Sequence, residues 1–72
     1  MTTYRAILRF TTAGPAVTGE WSAVTTARHA WRGWIGLYGS VEEVVIRVVE
    51  DTSEGEQVLA EWRDGHVVVD RL

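Results

Sequence analysis

Seventy-two residues with seven basic and ten acidic side chains, a net charge of −3 and an isoelectric point near 5.2 bound one small domain. A chain this short buries only about 60% of its unfolded surface, so every large apolar residue has a prior claim on a single core. The absence of cysteine excludes disulfides, thiolate zinc sites and cysteine nucleophiles, leaving dense aromatic packing, here four tryptophans, or self-association to support that core.

The charge is unevenly spread. Residues 1–39 hold four arginines against Glu20, a net of +3, while residues 40–72 hold three arginines against nine carboxylates, a net of −6. Every basic residue is arginine, which reads as a GC-rich coding sequence and carries no functional argument. The opening MTTYRAILRF lacks the apolar run and cleavage site of a secretory signal, and no stretch approaches the ~18–20 apolar residues of a membrane span. The expectation is a protein of the bacterial cytosol with no membrane contact.

Residues 3–11 alternate, with Tyr4, Ala6, Leu8 and Phe10 on one face and Thr3, Arg5, Ile7, Arg9 and Thr11 on the other, the pattern of a half-buried strand. Ala13-Gly14-Pro15 breaks it, and the segment on to Trp21, with two glycines and a proline, reads as a loop. From Ser22 the period changes. Val24, Ala27, Trp31, Trp34, Ile35 and Tyr38 form one apolar stripe of a helix, with Ser22 as N-cap and Gly39 as stop.

Residues 41–50, VEEVVIRVVE, predict a second strand with Val44, Ile46 and Val48 inward, and residues 56–63 a third with Val58, Ala60 and Trp62 inward. Asp64-Gly65 signals a two-residue hairpin turn into a fourth strand, 66–71, pairing Arg63 with His66, Trp62 with Val67, Glu61 with Val68, Ala60 with Val69 and Leu59 with Asp70. The predicted fold is α+β, β-α-β-β-β: a four-stranded mixed sheet with one helix packed on one face. The β-α-β crossover would set the first two strands parallel.

One helix covers one face of a sheet. The other face then shows Ile7, Val45, Val49, Leu59 and Val68 among Arg5, Arg9, Glu43, Arg47, Glu61, Arg63, His66 and Asp70. Such a face is either solvated or a self-complementary patch between two copies, and the small core favours a homodimer.

The helix exterior is the main candidate for a partner. His29, Gly33 and Gly36 lie opposite the apolar stripe, with Arg28 and Arg32 one turn apart beside them, and each interior glycine costs about 1 kcal/mol relative to alanine. These five residues suit a furrow for an acidic or helical partner protein; the plain alternative is two tolerated glycines. A nucleic-acid regulator would use Arg28 and Arg32, with Arg5 and Arg9, on phosphates. Against it stand the acidic isoelectric point and a sheet face with no aromatic to stack on bases.

Metal ligation is not expected: His29 and His66 sit on different elements, and no motif supplies further ligands. Glu50, Asp51, Glu54 and Glu56 lack calcium-loop spacing and read as a solvated loop, or as an acidic surface able to meet the basic helix of another copy. Arg63, His66, Glu61 and Asp70 could form an acid–base cluster, but they are equally the ordinary solvated face of a hairpin, and a fold this small offers little concavity for a substrate. The expectation is a non-catalytic interaction or regulatory module without a cofactor.

Overall fold

A computed structural model describes residues 2–11 and 14–72. Met1, Thr12 and Ala13, and with Ala13 part of the expected chain break, lie outside them. The elements in chain order are β1 (Thr3–Arg9), β2 (Ala16–Trp21), α1 (Val24–Tyr38), β3 (Val45–Thr52), β4 (Gly55–Arg63) and β5 (His66–Asp70). The class is α+β, but the sheet has five strands in the order β2-β1-β3-β4-β5, and every neighbouring pair is antiparallel.

The fifth strand is β2, in the segment expected to be a loop. It pairs with β1 from Tyr4–Trp21 to Arg9–Ala16. As an edge strand it needs little burial, so Gly19 and Thr18 are no bar to it, and Trp21 makes good the glycine. A Cβ at Gly19 would lie within 3.0 Å of three Trp21 ring carbons, so the indole occupies the place of the missing side chain. The extra hairpin turns the chain round before the helix. For that reason β1 and β3 run antiparallel and the expected parallel first pair does not form.

The N-cap of the helix is Ala23, in extended backbone and without a side-chain cap bond, rather than Ser22. It ends as expected at Gly39, in right-handed helical backbone. There the lack of a side chain allows close packing, because a Cβ would meet the Trp62 ring at 3.2 Å. The indole Nε1–H of Trp62 donates to the Gly39 carbonyl at 3.1 Å.

The second predicted strand loses its first residues. Val41 and Val44 donate back to Tyr38 and Val41 in tight turns, and Glu43 takes φ +66°, so the strand begins at Val45. Glu43 is thereby absent from the sheet face on which the sequence pattern set it.

The core lies between α1 and the sheet: Leu8, Ala27, Trp31, Val44, Ile46, Val48 and Ala60. Trp31 fastens the layers, its Nε1–H donating to the Ile46 carbonyl at 2.8 Å in a buried position. Phe10 meets Tyr38 edge-to-face, ring centres 5.5 Å apart. The helix lies over β1, β2 and β3, and Val67 and Val68 on β5 stay exposed.

Two irregularities correct the predicted faces. Val48 opposes Ala60 but Val49 opposes Val58, so Leu59 is the extra residue of a bulge and packs against the helix-side core. Val58 takes the place beside Val49 that the alternation reserved for Leu59. In the last hairpin Arg63–His66 and Trp62–Val67 pair as predicted, but Glu61 then opposes Val69 and Ala60 opposes Asp70. Val68 is left without a partner. A bulge shifts every later residue by one position, and period-two counting cannot see it.

Candidate functional site

Two surfaces on opposite sides of the molecule carry the candidate residues. The first is the outer face of α1. His29, Arg32, Gly33 and Gly36 are exposed, and Arg28 is half-buried, so the structure brings all five sequence-predicted residues onto one side of the helix. A Cβ at Gly33 or Gly36 would meet nothing within 4 Å. Nothing inside the fold requires glycine at either position.

Helical spacing sets His29, Gly33 and Gly36 along the middle of this face, with Arg28 and Arg32 on one flank and Leu37 on the other. Leu37 is 71% exposed, the most exposed large apolar side chain among the described residues. Sequence reasoning omitted it, although its absence from the core-facing stripe was the available signal. Arg28 leans over a cleft of about 280 Å³ beside Thr25, Tyr4, Glu50 and Arg71, while Arg32, with Thr25 and His29, lines a shallower hollow. Among the described residues no carboxylate lies within ion-pair distance of Arg28 or Arg32; the ion pairs involve Arg5, Arg47 and Arg63.

The second surface is the open face of the sheet, whose register arranges it in rows. One row runs Ala16, Arg9, Val45, Arg63, His66, and the next Thr18, Ile7, Arg47, Glu61, Val69. A third runs Glu20, Arg5, Val49, Val58. Arg5 pairs with Asp51 at 3.5 Å and with Glu56, so at the lower end of the face one arginine meets two carboxylates. At the upper end Glu61, 9% exposed, accepts from Arg47 Nε at 2.8 Å and pairs with Arg63 Nε at 3.1 Å. A carboxylate that deep is tolerated because both its oxygens are engaged by cations.

The five residues expected to form a self-association patch are not brought together. Ile7 and Val45 share the upper hollow. Val49 is already buried, at 3% exposure, Leu59 belongs to the helix side, and Val68 sits in the bulge of edge strand β5.

Of the expected acid–base cluster, Arg63, Glu61 and His66 remain neighbours, while Asp70 is set opposite Ala60 by the bulge. His66 Nδ1 lies 3.2 Å from the Asp64 carbonyl, and Asp70 accepts from the Leu72 amide at 3.3 Å, while Glu61 is held by arginines. Among the described residues no cluster of histidine and carboxylates has metal-binding geometry, and no helix is long and apolar enough to cross a membrane. Compared with protein-family models, curated protein sequences and solved structures, the chain matches none of them.

Proposed function

We propose that the protein is a non-catalytic interaction module that receives an amphipathic, acidic helix of a partner protein on the outer face of α1. The observation that carries this reading is Leu37, 71% exposed, beside two helix-interior glycines above which there is open space. A glycine-floored strip lets a second helix approach closely, and an apolar side chain at its margin supplies the contact such an approach buries. Arg28 and Arg32 on the opposite margin, without carboxylate partners among the described residues, favour acidic residues along one edge of the incoming helix.

A sheet-stacked homodimer has less support. Only Ile7 and Val45 of its five expected residues share the hollow, and they are ringed by Arg9, Arg47 and Arg63. Two copies stacked there would oppose arginine to arginine, which is unfavourable in a desolvated joint. A nucleic-acid role on the helix would rest on Arg28 and Arg32 alone, because Arg5 and Arg9 belong to the far side of the sheet.

The test is quantitative recovery of the co-purifying partner on immobilised wild type, Gly33→Leu, Leu37→Asp and the double variant Arg28→Glu, Arg32→Glu. The reading predicts loss of the partner with each variant and retention by wild type in raised salt. Recovery unchanged by Gly33→Leu, or replaced by nucleic acid released steeply by salt, contradicts it.

A further inference from the structure

The hollow at the upper end of the open sheet face is basic in an acidic protein. It has a volume of about 260 Å³ and is lined by Ile7, Arg9, Val45, Arg47 and Arg63. Three guanidiniums from three strands meet there against one carboxylate, Glu61, leaving a local excess of two positive charges. Glu43 and Asp64, at the same end of the sheet, line a different hollow with Gly39 and Ser40 and form no ion pair with these arginines.

The arginines are held in a particular way. Glu61 accepts a hydrogen bond from Arg47 Nε at 2.8 Å and forms an ion pair with Arg63, whose Nε lies 3.1 Å away, and Arg9 is steadied by one bond from a terminal nitrogen to the Gly14 carbonyl at 3.3 Å. Anchoring through Nε fixes the stem of a guanidinium while its two terminal amino groups remain free. Among the described residues those of Arg47 and Arg63 have no partner. Side chains so arranged are preorganised donors, and like charges gathered without full compensation favour an anion.

Geometry narrows the class of anion. Arg9 and Arg63 stand on either side of Val45 in one row, about 10 Å apart at their backbones by the spacing of strands, and Arg47 closes the triangle from the next row. Three donors converging from three directions suit the three terminal oxygens of a tetrahedral group better than the two of a planar carboxylate. The doubled charge suits a dianion. Ile7 and Val45 offer an apolar floor that inorganic phosphate would leave unused.

We propose that this hollow binds the phosphate monoester of a small molecule. Arg9, Arg47 and Arg63 take the phosphoryl oxygens, and the organic body lies on Ile7 and Val45. The site is independent of the helix face, which lies on the other side of the sheet.

Calorimetric titration at low ionic strength with phenyl phosphate, inorganic phosphate and benzoate tests it. One site is expected, with phenyl phosphate tighter than inorganic phosphate and benzoate about tenfold weaker than phenyl phosphate. Arg9→Gln and Arg63→Gln should each weaken phenyl phosphate about tenfold, while Arg28→Gln, Arg32→Gln and Gly33→Leu bind it as wild type does. Arg63 is nearly half exposed, so its variant, checked by circular dichroism, decides the matter if Arg9→Gln does not fold. No binding of phenyl phosphate, equal binding of benzoate, loss on changing the helix arginines, or tighter binding of a short oligonucleotide would overturn the proposal.

Discussion

Trp31 joins the two layers of the molecule through both its ring, in the core cluster, and its Nε1–H, which satisfies the buried Ile46 carbonyl. Trp31→Phe keeps an aromatic ring but leaves that acceptor without its donor and opens space, so unfolding in urea should show a loss of about 2–3 kcal/mol. A loss below half a kilocalorie would mean that the indole bond contributes nothing. Glu43 makes the opposite case. Its φ of +66° is unfavourable for a residue with a Cβ, and its side chain is exposed. Glu43→Gly should therefore stabilise the protein by about 0.5–1 kcal/mol, the relief of left-handed backbone outweighing the added chain entropy. Destabilisation instead would mean that the turn after α1 relies on the glutamate. Trp31 was legible as a core residue from its place on the helical stripe. Glu43 was not, because a run of valine and glutamate reads as strand until the geometry of the preceding turn is known.

The two helix glycines and the strand glycine make contrary demands. Gly33→Ala and Gly36→Ala add a methyl group to open space within a helix, so each should raise stability by up to about 1 kcal/mol. Thermal and urea unfolding measure this directly, and a loss at either position would refute the solvent-facing assignment. Gly19→Ala should destabilise by about 1 kcal/mol or more, although alanine is the better residue for a strand, since the new methyl group meets the Trp21 ring. A change in Trp21 fluorescence should accompany it. The helix and the later strands were legible because each shows its period over several residues. β2 was hidden because its inward residues are Val17, Gly19 and Trp21, one of them lacking a side chain and one folded back over the gap. The bulges at Leu59 and Val68 were illegible for a related reason: alternation counts residues, and a bulge adds one that has no partner.

The five-stranded order decides which charges meet. The basic helix was visible from spacing alone, so its five candidate residues stand together as expected. The arginine hollow was not, because Arg9, Arg47 and Arg63 become neighbours only when β3 lies between β1 and β4. The same order leaves the open face without a continuous apolar patch. Light scattering should therefore find a monomer over a wide range of concentration and salt, and a salt-tolerant dimer lost on Ile7→Glu would restore the sheet-stacked arrangement.

Whether α1 presents the partner-binding surface can be read from methyl NMR of the isotope-labelled protein as the captured partner is added. Leu37 reports the helix exterior, and Ile7 and Val45 report the open sheet. Shifts and broadening are expected at the Leu37 methyls while those of Ile7 and Val45 stay in place; perturbation confined to Ile7 and Val45 would mean that the partner docks on the open sheet and not on the helix.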